Sequence, residues 1–104
     1  MIRKPGWWLT VVVCLAWTPV VVLAQGTRWQ AEHDAGWVAY KEGRFTEAEK
    51  RLRVAEKEAR TFGAEDPRLA TTLDHLAWVL CAEGKPADGE PLAKSALSIR
   101  EKSL

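Results

Sequence analysis

Reactive side chains are sparse in this sequence, and their spacing limits what they can do together. The two histidines stand beside carboxylates, as His33-Asp34 and Asp74-His75. Adjacent residues on a helix point to different sides, so neither pair forms a base held by its own neighbour. No His-x-x-x-His or Cys-x-x-Cys pair sets metal-ligand geometry, and no glycine-rich loop between strand and helix offers to hold a phosphate. Ser95, Ser98 and Ser103 fall in a helical stretch without a base beside them. By the demands of an active site, the histidines read as solvated or capping groups, and neither catalysis, a metal nor a cofactor is expected. The aromatic residues are more telling. Trp37, Tyr40 and Trp78 together offer a broad apolar shelf, and such rings anchor protein interfaces. The competing reading buries both tryptophans between neighbouring helices.

The segments that carry these rings repeat. A shift of 41 positions places Trp37-Val38 on Trp78-Val79 and Glu42-Gly43-Arg44 on Glu83-Gly84-Lys85. The same shift places Glu49 on Glu90, Arg53 on Lys94 and Ala55 on Ala96. A fixed period of roughly 20 to 50 residues marks a repeat architecture, whose units bury their apolar faces on one another. The period is helical throughout, with no strand-like alternation after Trp29. The expected fold class is all-α, two stacked antiparallel helix pairs.

Four helices are expected. The first spans about Trp29 to Glu42 and stops at Gly43, suited to a left-handed helix end. The second opens at Thr46, with Thr46 and Glu49 as a capping box. It carries an apolar stripe of Ala48, Leu52, Ala55, Ala59 and Phe62. Its other face carries Glu47/Arg51, Glu49/Arg53 and Glu56/Arg60, pairs four apart worth a few tenths of a kcal/mol each. After a connector at 63–67, Asp66-Pro67 caps a third helix that runs to Glu83 with Leu69, Leu73, Leu76, Ala77 and Leu80 on one face. Gly84 ends it. The fourth spans about Asp88 to Lys102, with Pro91 in its first turn and Leu92, Ala96, Ile99 and Leu104 apolar. Small residues mark the close approaches: Gly36 with Ala48 and Ala55, and Ala77 with Gly89 and Ala96.

The first 24 residues read differently. A basic start (Arg3, Lys4), an apolar run from Trp7 and a small residue at Ala24 form the layout of a secretory signal, cleaved to leave Gln25 first. The alternative is an uncleaved anchor, since Trp7 to Ala24 is 18 residues, the lower limit for a span. Either way the chain is expected outside the cytoplasm, secreted or periplasmic, or tethered to a membrane through residues 7–24 alone. Loss of Arg3 and Lys4 takes the basic residues from 15 to 13 against 14 acidic ones, a formal charge of −1. That balance excludes a nucleic-acid partner, which needs many neutralised phosphates. Cys14 leaves with the signal, so Cys81 has no internal partner and is expected to be buried or partly buried.

The small-residue spacing Gly36, Ala48, Ala55 and again Ala77, Gly89, Ala96 resembles the tetratricopeptide repeat. The stretch from Leu69 to Ala77, with Gly84-Lys85, Glu90-Pro91-Leu92 and Ala96 to Lys102, is similar to the longer repeat of kinesin light chains. The resemblance divides the chain into a lead-in at 25–34, a first pair at 35–66 and a second at 67–104. It implies that the first helix of each pair lines a concave surface. Carried over position by position, that lining is Gln30, His33, Trp37, Tyr40 and Lys41, then Thr71, Asp74, Trp78, Cys81 and Ala82. The implied function is binding of a protein or peptide segment there. Pro86 stands where the family has an aromatic and Gly89 where it has alanine, which loosens the second pair. With only two repeats, the face of Leu92, Leu97 and Leu104 is expected to stay partly exposed, so self-assembly through this end is the second reading.

Overall fold

The computed structural model describes residues 26–103. The signal or anchor expected at 1–24, Gln25 and Leu104 lie outside the described residues. The rest is four helices: α1 (26–41), α2 (Phe45–Arg60), α3 (Pro67–Ala82) and α4 (Pro86–Ser103). Among the described residues there is no strand. The architecture is all-α and compatible with helical repeats.

The repetition extends to the backbone of the turns. Gly43 (φ 79°) and Gly84 (φ 81°) both adopt the left-handed conformation. After α1, the Gly43 N–H donates to the Tyr40 carbonyl at 3.0 Å and the Arg44 N–H to Ala39 at 2.8 Å. After α3, the Gly84 N–H donates to Cys81 at 3.1 Å and the Lys85 N–H to Leu80 at 2.8 Å. These are the same two bonds displaced by one repeat, a Schellman closure that satisfies the last carbonyls of each helix. Each turn reverses the chain.

The other helix ends show where sequence cues compete. Asp66 caps α3 as expected, its carboxylate accepting from the Arg68 N–H at 2.9 Å, with Pro67 in the first turn. The Arg68 guanidinium grips both oxygens of Asp66 at 2.9 Å and lies 3.5 Å over the Phe62 ring. That pairing holds the Asp66 carboxyl below its ordinary range. The capping box at Thr46 and Glu49 does not form. Arg44 is the cap residue of α2, without a side-chain bond, because Phe45 already lies in the helix and Glu49 is engaged elsewhere. α1 begins by residue 26, earlier than expected, and α4 opens at Pro86 rather than Asp88. Pro91 therefore sits in the second turn, where it lacks the N–H that would reach the Ala87 carbonyl.

α3 is the centre of the packing. The expected stripe of Leu69, Leu73, Leu76, Ala77 and Leu80 is buried, and so are Ala70, Thr72 and Val79. The extra burial arises because α3 has neighbours on several sides: α2, α4 and, through contacts described below, α1. One apolar cluster joins Ala39, Ala48 and Leu52 to Leu76, Val79 and Leu80. A second joins Ala59 to Leu69, Ala70, Leu73, Ala96 and Ile99. Leu92, expected to be partly exposed, is half-buried and packs against both clusters. Leu97 is exposed. The five fully buried leucines contribute about 1.5–3 kcal/mol each from burial. The surface pairs of α2 also form, with Arg51–Glu47 at 2.9 Å, Arg53–Glu49 at 3.5 Å and Arg60–Glu56 at 2.6 Å.

Close approach within each pair requires the small residues. A methyl on Gly36 would lie 2.7 Å from Leu52 Cγ, and one on Gly89 would lie 2.9 Å from the Ala77 carbonyl oxygen. Gly89 thus lets α4 rest on the α3 backbone, so the position expected to loosen the second pair brings it closer. Gly89→Ala is expected to lower stability by about 1–3 kcal/mol despite the better helix propensity of alanine. Chemical denaturation checks this, and an unchanged or higher midpoint would refute the close contact.

Candidate binding surface

The spacing of rings along α1 builds the surface. Trp29, His33 and Trp37 recur every four residues, and Tyr40 follows three later, so all four project from neighbouring turns. On α3, His75 and Trp78 are three apart and face them. The result is a continuous row of rings between the helices. Trp29 stacks on His33 (5.0 Å between centroids), His33 on His75 (4.8 Å), His75 on Trp37 (4.3 Å) and Trp37 on Tyr40 (5.1 Å). Trp78 tilts against Trp37 at 5.7 Å and 49°. Phe62 meets Trp29 edge-on at one end, and Phe45 meets Tyr40 at the other.

Polar bonds fix the row. The Trp29 Nε1–H donates to Thr72 Oγ1 at 2.9 Å, and the Thr72 hydroxyl donates to the Arg68 carbonyl at 2.7 Å. His33 Nε2 and His75 Nδ1 are 2.8 Å apart and share one N–H. His33 Nδ1 lies 3.3 Å from Asp34 Oδ1. The His33 side chain is only 12% exposed, and His75 is half-buried. Burial pushes the His75 pKa down, the charge of His33 adds to this, and Asp74 opposes it, with Arg100 a smaller depressing influence.

The expected lining residues divide into two groups. His33, Trp37, Tyr40 and Trp78 come together in the row, with Trp37 and Tyr40 half-buried and Trp78 49% exposed. Trp37 belongs to the seam, and Trp78 presents much of its ring to solvent. Gln30, Lys41 and Ala82 are exposed, and Thr71 is half-buried. Asp74 is held on α4 instead, where it accepts from Arg100 Nη1 at 2.6 Å. Cys81 is exposed, contrary to the burial expected. It lies one turn beyond Trp78, on the α3 face turned away from the core.

Trp29 and His75 are the members that sequence reasoning missed. Contrary to the expectation that neighbours do not meet, His33 reaches its adjacent Asp34 through Nδ1, but its shorter contact is to His75 on another helix. The 41-residue shift also conceals the pair, because it aligns His33 with Asp74 and Asp34 with His75. The four-residue spacing of Trp29, His33 and Trp37 was the available signal.

Two other clusters are chemically less open. Glu49 and Glu83 face each other between α2 and the end of α3; hydrogen bonding between the two carboxyls lowers the pKa of Glu49 and raises that of Glu83. Lys85 and Arg53 lie 3.8 and 3.5 Å from Glu49. A groove of about 320 Å³ beside α1 and α2 is lined by Asp34, Ala35, Val38, Arg44, Glu47 and Arg51. Its charges are engaged with neighbours, Arg51 with Glu47 and Arg44 with Glu42. Among the described residues no three His, Cys, Asp or Glu side chains gather to hold a metal.

Comparison with known proteins yields no matching family model, no matching curated protein and no matching solved structure.

Trp29→Phe keeps a ring on His33 but removes the donor to Thr72, and should cost about 1 kcal/mol in denaturation experiments. Thr72→Val, which also removes the bond to the Arg68 carbonyl, should cost no less. A second expectation concerns the carboxyl pair. Glu83→Gln supplies an amide donor to Glu49 without needing a proton, so stability at pH 7 should rise, by less than about 1 kcal/mol at this partly solvated position. The raised Glu83 pKa favours folding only when the group is protonated, so that advantage should shrink towards pH 4. A uniform effect across that range would contradict the hydrogen bond between the two carboxyls.

Proposed function

We propose that this chain is an exported module of the tetratricopeptide type, with the longer repeat similar to that of kinesin light chains, and that it binds a protein or peptide segment across the rings of α1 and α3. The observation that carries this reading is Trp78, 49% exposed and seated on a row of rings already held in place by hydrogen bonds. A large ring ordered in advance contributes binding area at little entropic cost. Tyr40 and Trp37 extend the shelf, and Lys41 and Gln30 lie exposed on the same helix to orient a ligand. The repeat type is supported by the duplicated turns and by the close approaches at Gly36 and Gly89. Export rests on the layout of residues 1–24.

Self-assembly through the last helix is the second reading, favoured by Leu97, which is 58% exposed. Stacking copies in the register of the internal repeat would work against it. Where His33 meets His75 inside one chain, the continued register sets Asp74 against Asp34 of the next copy, and facing like charges repel.

A random peptide library selected on the full chain tests the main reading. Trp78→Ala should weaken the selected peptides at least about tenfold, with Trp37→Ala at least as damaging. Unaltered affinity in both variants would exclude this surface. Sedimentation velocity over a range of concentrations separates the second reading: a strict monomer removes it.

A further inference from the structure

The geometry points to the His33–His75 bond as an acid-sensitive latch, which holds α1 against α3 and releases the aromatic surface when both imidazoles are protonated. The reason lies in the count of hydrogens. A bond 2.8 Å long between Nε2 of His33 and Nδ1 of His75 needs one ring to donate and the other to accept. Two neutral rings satisfy this. So does a single added proton: with both nitrogens of His33 protonated, Nδ1–H meets Asp34 and Nε2–H meets His75. A second added proton leaves two N–H groups facing each other, on two cations whose ring centroids are 4.8 Å apart. The rings must then separate.

The surroundings resist that second proton without forbidding it. From α1, Asp34 Oδ1 lies 3.3 Å from His33 Nδ1, and Trp29 and Trp37 lie face-on to the two imidazoles, where a cation is tolerated. From α3, Asp74 favours a charged His75, but its carboxylate is already held by Arg100 of α4. No α2 side chain is among the groups that shift His75. Burial, His33 and Arg100 together lower the pKa of His75, so the stability contributed by its neutral form is present above about pH 6.5 and is lost as the pH falls through the folded-state value. Because Trp37 stacks directly on His75 and tilts against Trp78, parting the imidazoles also displaces the shelf.

The consequence for docking rests on the function proposed above; the latch itself does not. The test follows the full chain from pH 8 to pH 5 by imidazole NMR and by near- and far-ultraviolet circular dichroism. The two rings should titrate in separate steps. The near-ultraviolet tryptophan signal should change reversibly with the second step while helicity persists. His75→Phe, which keeps a ring in the stack, should abolish that change, and His33→Gln should do the same if the first variant does not fold. Glu83→Gln should retain it, since the carboxyl pair lies elsewhere. Rings that titrate together with no optical change would overturn the latch, as would a change that survives both histidine variants or disappears with Glu83→Gln. Peptides selected on the Trp78 surface should lose up to about tenfold in affinity per pH unit below the second step. If they bind equally while the optical change occurs, the docking reading fails and the latch stands.

Discussion

Two helix backbones can share a seam only where side chains leave room, and everything else here depends on that allowance at Gly36 and Gly89. Leu52 occupies the space a methyl would claim on α1, and the Ala77 carbonyl occupies it on α4. With those distances set, the duplicated glycine turns bring each pair of helices together in the same way. The leucines of α3 then meet apolar surface from α2 and α4. Backbone approach comes first, and burial follows from it.

A different chemistry joins α1 to α3. Within each pair the closest backbone approaches rest on glycine, alanine and leucine; along this seam the contacts are broad, flat and partly polar. Rings with in-plane donors can be buried only where those donors find acceptors, as Trp29 does on Thr72 and the histidines do on each other. The seam is therefore directional, whereas the aliphatic packing is not. Directional contacts hold Trp37 and Tyr40 in one arrangement, which gives the exposed ring of Trp78 a firm base.

The helical class, the turn glycines and the α2 and α3 stripes were all legible in the sequence because each follows from a local rule with one strong outcome. A glycine after a helix and leucines at three- and four-residue spacing leave few alternatives. The misreadings occurred where two local rules competed. Thr46 and Glu49 have the right spacing for a cap, yet Phe45 extends the helix past them and Glu49 meets Glu83 instead. Pro91 and Asp88 suggested a later start for α4, but Pro86 is equally suited to a first turn. The His33–His75 contact was illegible for another reason. It depends on how α1 rotates about its axis relative to α3, a tertiary quantity that neither helix encodes alone. Cys81 misled in the same way, since its exposure is decided by which side of α3 faces solvent.

The placement of α3 has a consequence for cooperativity. Both aliphatic clusters draw on it, so Ala48 and Leu52 of the first hairpin and Ala96 and Ile99 of the second all lose their α3 partners if this one helix melts. Most of the buried leucines belong to this helix. In a long solenoid, units can unzip from an end while the remainder persists; here the coupling between neighbours outweighs what either unit holds by itself. The two hairpins are accordingly expected to unfold together, with the slowest-exchanging amides in α3.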